Sequence, residues 1–525
     1  MVLGNFIGFA RSSSGTETFS SSNAVDGSLR LEVFSEATSE EVNAACELAS
    51  NSFASYSQTS DRERALFLRR IAALLQQQKE ELQTIYCAES GLTSDRFESE
   101  LLRTMRQLWN FADHIEHGAW RNASIDTANT NIHPPKPDLR KMLFPLGPVV
   151  VFGASNFPLA YSTVGGDTAS ALAAGCPVIV KGHALHAATS DFVAALVVQA
   201  AKETGMPEGV FSHLHARSFR VGKELVQDSR VKAVGFTGSY AGGRALFDLA
   251  NERKEPIPVF AEMGSVNPVF IMPELLEKKA ELWSDMLANS MISGMGQFCT
   301  NPGLIFLIES DTAKDFVTLL ERKFLRKTTT SMLHESINAR YVQGKMRLKN
   351  HGVDMKHSDI SANDSTVLQA LGFVRAEKFI QESELQEEVF GPFSLLVMCN
   401  DFAELECCAQ KIKGQLTATF LGSELEFKEH TALVTVLQQK VGRIVFNGVP
   451  TGVDISPSMH HGGPFPSSSD SRYSAVGIDA MQRFVRPVTF QDFTQNLLPE
   501  PLKNENPFAI LRRVNGVWTT DAINF

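Results

Sequence analysis

The chain has 525 residues, 43% hydrophobic and 21% charged, the balance of an ordinary soluble globular protein of about three domains. Lys+Arg 49 against Asp+Glu 59 leaves a net charge of -10, which argues against a broad basic face for nucleic acid or anionic lipid. Seven cysteines, with no CxxC or His/Cys metal spacing, point to reduced thiols in a cytoplasm and to no metal; His460 and His461 are adjacent and lack an evident third ligand.

In chain order, MVLGNFIGFARSSSG lacks both the basic and the apolar region of a signal peptide, and no uninterrupted apolar run approaches the ~18 residues of a membrane span. The Ser/Thr-rich opening, short of apolar periodicity outside GNFIGF, reads as an extended arm. Over residues 39–115 the pattern turns helical. Val42, Ala45, Leu48 and Ala49 share one face, and Leu66, Leu68, Ile71, Leu74 and Leu75 another. The polar, proline-bearing stretch 122–140 reads as a crossing segment.

At Pro148 the period changes. PVVVFGA (148–154) is wholly apolar, as expected of a strand buried on both faces of a parallel sheet. A helix over 159–174, strand 177–181, helix 187–204, strand 209–214, helix 219–227, strand 231–236 and helix 242–251 are predicted to follow. That alternation describes a doubly wound α/β sheet, which binds ligands beyond the carboxyl ends of its strands. A second α/β region is expected over 264–474, and the tail 485–525 carries the strand-like PVTFQDF.

Four segments place reactive or polar residues at a strand end or a helix start. Ser155-Asn156-Phe157-Pro158 offers a carboxamide donor at Asn156, or simply a helix cap. Phe236-Thr237-Gly238-Ser239, with Gly243 five residues beyond Gly238, suits a pyrophosphate at a helix N-terminus; a plain strand-helix turn reads equally well. Glu262 closes the apolar run VFAE, where burial would raise its pKa toward a useful general base; a solvated edge carboxylate is the alternative. Cys299 lies in the Gly-flanked loop GQFCT after a helical run at 282–292. That loop can expose a thiol nucleophile, whereas most free cysteines, Cys176 among them, are inert small hydrophobes.

Together these segments resemble the aldehyde dehydrogenase superfamily over nearly the whole chain. Its motifs stand in the expected order: PLGPVVVFGASNFPL, ALAAGCPVIVKG, GFTGS followed by Gly243, AEMGSVNP, GQFCT, EEVFGP and GRIVFNG. The resemblance implies a Rossmann-type doubly wound cofactor domain (1–121 and 149–263) and an α/β catalytic domain (264–474). A small oligomerisation arm with the C-terminal tail (122–148 and 475–525) completes it. It implies Cys299 as nucleophile, Glu262 as general base and Asn156 as oxyanion donor. Lys181, Ser239, Gly238, Gly243, Glu388 and Phe390 would hold a dinucleotide. In that scheme the Cys299 thiolate attacks an aldehyde, and Asn156 and the Cys299 amide stabilise the alkoxide, worth about 3 kcal/mol per donor. Hydride passes to a nicotinamide, and Glu262 activates the water that hydrolyses the thioester. The base argues against the acyl-CoA-forming branch.

Two departures narrow the resemblance: Ser155-Asn156 replaces the usual Trp-Asn, and Gly264-Ser265-Val266 the usual Gly-Gly-Lys. With HHGGPFP (460–466) they look like the branch of 2-oxoglutarate semialdehyde (2,5-dioxovalerate) dehydrogenases and the NADP-dependent fatty aldehyde dehydrogenase of luminous bacteria. His461 looks like a histidine this branch keeps near the substrate, assisting proton transfer with Glu262; a hydrogen-bonded loop histidine is the alternative. Arg103 and Arg106, beside Leu102, Met105, Trp109 and Phe111, leave both a distal carboxylate and an aliphatic tail open as substrates. Ala184 stands three residues after Lys181, where many superfamily members carry a ribose-binding glutamate. With Lys181 and Arg220 as cations, the reading is NADP, with NAD also accepted. The arm implies a homodimer or a dimer of dimers, with no nucleic acid or membrane partner. A thiol esterase-like hydrolase and a catalytically inactive structural homologue are the rival readings.

Overall fold

The computed structural model describes residues 2–358 and 367–524. A seven-stranded sheet is ordered Val259–Glu262, Ala233–Thr237, Val149–Phe152, Val178–Lys181, Phe211–Leu214, Asn5–Ile7, Ala10–Ser12, and its first five strands run parallel. Val149 and Val151 share a core with helices Asp61–Gln77, Ser94–His117, Gly166–Ala174 and Ala187–Glu203. Val150 and Phe152 share the opposite core with Ser39–Tyr56, Phe219–Gln227 and Tyr240–Asn251. Both faces are dry, which explains why PVVVF does not alternate. Strand order reverses between Val149–Phe152 and Ala233–Thr237, the place where such sheets open a ligand crevice.

The opening residues do not lie as an extended arm. Asn5–Ile7 and Ala10–Ser12 form an antiparallel hairpin on the edge of Phe211–Leu214, and Val2–Leu3, Val33–Ser35 and Thr18–Phe19 make a small sheet of their own. The helix expected from residue 159 starts only at Gly166. A Cβ on Gly165 would stand 2.4 Å from the Ala160 carbonyl oxygen, so the chain turns tightly there instead of coiling. The segment Ala184–Glu203 is long and apolar enough to cross a membrane by composition, but 72% of that window is buried, as befits a core helix.

A second seven-stranded sheet runs Asp354–His357, Ala370–Arg375, Phe393–Cys399, Leu304–Ile308, Val269–Ile271, Gln415–Leu421, Val441–Phe446; only Asp354–His357 is antiparallel. Residues 122–148 and the tail form a third unit. Val485–Gln491 pairs along its whole length with Leu139–Pro145, which pairs with Ser124–Asp126, and the hairpin Arg512–Val514/Val517–Thr519 extends the far side. The turn Ile478–Phe484 between them inserts Ala480, Met481 and Phe484 into the core of the first sheet.

Candidate active site

The loop that carries Cys299 is shaped by its glycines. Gly294, Met295 and Gly296 take φ of 55°, 58° and 65°. A Cβ on Gly296 would stand 2.2 Å from the Gly391 carbonyl oxygen, so glycine alone fits. Beyond the sulfur, Asn267 donates through Nδ2 to the carbonyls of Cys299 (2.8 Å) and Asn301 (2.9 Å). Turn and clamp together hold the thiol in one place.

Glu262 ends its strand beneath that loop. Its Oε1 lies 3.0 Å from His461 Nε2, and the same nitrogen lies 3.6 Å from Cys299 Sγ. Both side chains are buried, and Glu262 Oε2 is enclosed without a hydrogen-bond partner. Burial, and after it the Glu262 charge, hold the Cys299 thiol well above its ordinary value, with Glu388 adding to this and Arg103 opposing it. The sulfur is therefore a thiol at rest. The ring nitrogen nearest the sulfur, His461 Nε2, is the same one that faces the Glu262 carboxylate. Sγ, Nε2 and a Glu262 oxygen lie within 4.8 Å of one another. Thus the fold brings His461 against Glu262, the partner the sequence reading gave it, and also against Cys299. His460 is not part of this group.

Asn156 reaches the loop from the other sheet, its Nδ2 donating to the Gln297 carbonyl at 2.9 Å. An amide nitrogen carries two protons, so one remains for an anion at the reacting carbon. Gln297 is braced in turn, donating to the Gly294 carbonyl (3.0 Å) and accepting from the Leu333 amide (3.1 Å).

A cavity of about 1050 Å³ opens beyond the carboxyl ends of the parallel strands and reaches Cys299. Asn156, Lys181, Arg220, Gly238, Ser239, Glu262, Glu388 and Phe390 line it. Gly243 does not. A Cβ there would meet Met263 Cγ at 2.7 Å, so this glycine seats a helix against its strand. His461 also stands outside the lining and approaches the sulfur from behind. Ser239 caps the helix Tyr240–Asn251, its Oγ accepting from the Gly242 amide at 3.2 Å, and so turns a helix N-terminus toward the cavity.

The lining fits a dinucleotide phosphate. Lys181, Arg217, Arg220, Lys223 and Arg340 face it, and of these Arg217, Lys223 and Arg340 were not singled out in the sequence. Desolvation pushes the Lys181 ammonium down to about 8, so a bound anion would favour its charged form. Glu36 acts on Lys181 from outside the cavity, but its oxygens already accept from the Ser218 hydroxyl and the Arg217 and Ser218 amides. Arg220 is less free than its position suggests: Nη2 donates to the Ala37 carbonyl at 2.5 Å, and Nη1 pairs with Glu224 at 3.3 Å. At the other end, burial raises the Glu388 carboxyl to about 7 against the Ser265 amide, and a Cβ on Gly264 would lie 2.6 Å from its Oε2.

Asn267 was missed as a site residue because it serves the backbone of Cys299, although it stands inside AEMGSVNP.

Residues 9–339 match the aldehyde dehydrogenase family. The chain is 42% identical to an alpha-ketoglutaric semialdehyde dehydrogenase of Acinetobacter baylyi over 98% of both chains. It is 43% identical to alpha-ketoglutaric semialdehyde dehydrogenase 2 of Azospirillum brasilense over 92% of this chain and 93% of that one. Among solved structures, a Thermus 1-pyrroline-5-carboxylate dehydrogenase with bound NAD superposes with a TM-score of 0.80 at 20% identity, covering 93% of this chain and 92% of that chain. A loop-borne thiol over a glutamate, a crevice at the strand-order reversal and relatives spanning the full chain lead to one conclusion: the chain belongs to the aldehyde dehydrogenase family and is an NAD(P)-dependent oxidoreductase.

Proposed function

We propose that this enzyme oxidises 2-oxoglutarate semialdehyde to the dicarboxylate through a thioester on Cys299, with NADP as the favoured acceptor. The observation that carries the mechanism is one imidazole nitrogen, 3.6 Å from Cys299 Sγ and 3.0 Å from Glu262 Oε1. The names of both close relatives support the substrate.

Cys299 gives its proton to His461 Nε2 in the tautomer that carries its hydrogen on Nδ1, and the Nε2–H so formed donates to Glu262 Oε1. The thiolate attacks the aldehyde carbon. The alkoxide that forms is met by the free Asn156 Nδ2 proton and the Cys299 amide. When bound, the nicotinamide supplies the hydride acceptor, and Lys181, the amides at Gly238 and Ser239, and Glu388 are the residues that would hold the cofactor. Glu262 Oε2, buried and unpartnered, then takes a proton from the water that hydrolyses the thioester. The carboxylate product leaves, and the thiol regains its proton. Convergence of nucleophile, base and amide donor supports this cycle over an inactive homologue or a simple thiol hydrolase. Incubation with the semialdehyde and NADP should yield equal amounts of reduced cofactor and 2-oxoglutarate; hydrolysis of activated esters without any cofactor reduction would refute the reading.

Ala184 supports NADP, because it puts no carboxylate three residues after Lys181 to repel a 2′-phosphate, and Glu36, which acts on Lys181, is already engaged by Arg217 and Ser218. We expect kcat/KM for NADP at least equal to that for NAD, with Arg220→Ala weakening NADP about tenfold and NAD far less, as loss of a charge-assisted hydrogen bond implies. A tenfold or greater preference of the unmodified enzyme for NAD would contradict this.

The arm supports a homodimer. Val485–Gln491 is an open sheet edge, and Ile132, Phe493, Leu497, Phe508, Val517 and Trp518 are exposed apolar side chains on the same unit. Light scattering at micromolar concentration should give twice 57.7 kDa or a multiple of that dimer; a 57.7 kDa particle would exclude it. All seven cysteines are unpaired, which suits a reducing cytoplasm and a nucleophile that must stay a thiol.

A further inference from the structure

Among the described residues Arg103 and Arg443 have no acidic partner, and both stand behind Tyr161, outside the lining of the cavity that reaches Cys299. Arg103 lies on the helix Ser94–His117 and Arg443 on the strand Val441–Phe446, yet both are tied to one loop. Arg103 Nη1 donates to the Val453 carbonyl, while Arg443 donates to the carbonyls of Gly452 (3.0 Å) and Pro450 (2.5 Å). Arg103 Nη2 also meets the Tyr161 hydroxyl at 3.3 Å, its guanidinium lying 5.8 Å from the Tyr161 ring centre. Tyr161 in turn stands 6.4 Å, ring to ring, from His461, the histidine in contact with Cys299. The path from sulfur to guanidinium thus crosses two side chains.

The partners of these arginines are neutral, so they fix each fork without cancelling its charge. Among the described residues neither arginine forms an ion pair, although the chain carries more acids than bases. Arg443 Nε is enclosed without any partner. A guanidinium has five N–H donors, and the loop carbonyls use only one or two from each. Enough remain to take a carboxylate in a two-point grip. Both cations also act on the nucleophile's surroundings: Arg103 opposes the upward push on the Cys299 thiol, and Cys299 with Tyr161 favours the charge that burial would otherwise disfavour on Arg443. Arg106, the other arginine of the sequence reading, is exposed.

We propose that Arg103 and Arg443 form a carboxylate-binding subsite that selects aldehydes bearing a distal carboxylate over uncharged aldehydes of the same length. The proposal rests on the aldehyde-oxidising role of Cys299 and adds a basis for substrate choice. An aliphatic tail would leave two half-buried cations without an anion, whereas a carboxylate supplies their missing partner. Lysine would keep the charge but lose the planar fork.

The test compares kcat/KM for 2-oxoglutarate semialdehyde and pentanal in wild type, Arg103→Ala, Arg443→Ala and Arg443→Lys. The subsite predicts that each alanine variant lowers the semialdehyde-to-pentanal ratio at least about tenfold, chiefly through KM, and that Arg443→Lys recovers part of it. Glutarate should inhibit pentanal oxidation by the wild type competitively, a readout that needs no variant. Alanine variants that lower both substrates in equal proportion, or a wild type insensitive to glutarate, would overturn the subsite while leaving aldehyde oxidation standing. A wild type that reduces no cofactor with either aldehyde would instead remove the dehydrogenase reading on which it rests.

Discussion

Cys299→Ala should abolish aldehyde oxidation, lowering turnover by about 10³-fold or more while cofactor binding persists. Six other cysteines are present, but Cys46, Cys176, Cys399 and Cys408 are buried, and none is placed against both a histidine and a glutamate. Burial pushes the Cys176 thiol up to about 11, and its Sγ merely donates to the Phe484 carbonyl at 3.4 Å. Removing the Cys299 sulfur leaves its loop intact, because Asn267 holds the main-chain carbonyl and Gly296 makes the turn. Cofactor titration followed by fluorescence should therefore match the parent enzyme. Turnover above a few per cent of the parent would remove Cys299 from the chemistry.

Glu262→Gln should separate the two halves of the cycle. The amide keeps the shape, so His461 stays in place and can still receive the thiol proton. It cannot take a proton from water, so a burst of reduced cofactor should precede a steady state slower by about 100-fold or more. The same variant should shift thiol ionisation in a defined direction. Burial is the first cause that raises the Cys299 thiol, and the Glu262 charge is the second. Neutralising that charge removes an upward push, so the midpoint of Cys299 alkylation by iodoacetamide should fall to lower pH. Absence of any burst, with the alkylation midpoint unchanged or raised, would place the need for Glu262 before hydride transfer and remove it as the base for thioester hydrolysis.

How far the sequence could be read depended on which interactions are local. PVVVF, PVIV and the helices between them were legible because each strand is buried on both faces and needs an unbroken apolar run. The hairpin Asn5–Ile7/Ala10–Ser12 was not, since two short edge strands carry too few residues to show a period. Residues 159–165 look helical in composition, but the close approach of Gly165 to Ala160 decides otherwise. In the site, Cys299, Glu262 and Asn156 were marked by strand ends and turns. The pairing of His461 with both Cys299 and Glu262 depends on residues 162 and 199 positions apart. Gly243 was read as a phosphate-binding glycine when its need is steric, against Met263. Asn267 acts through the backbone carbonyls of Cys299 and Asn301 on a distant loop, a kind of contact that leaves no mark in residue spacing.

The central claim is that the substrate passes through a thioester on Cys299 that Glu262 then hydrolyses. Glu262→Gln mixed with 2-oxoglutarate semialdehyde and NADP, quenched in acid within the burst and digested, tests it by peptide mass. The peptide containing Cys299 should carry the acyl group, in an amount matching the reduced cofactor formed, and hydroxylamine should release it. An unmodified Cys299 peptide after one turnover of reduced cofactor, or an acyl group on any other residue, would contradict the account.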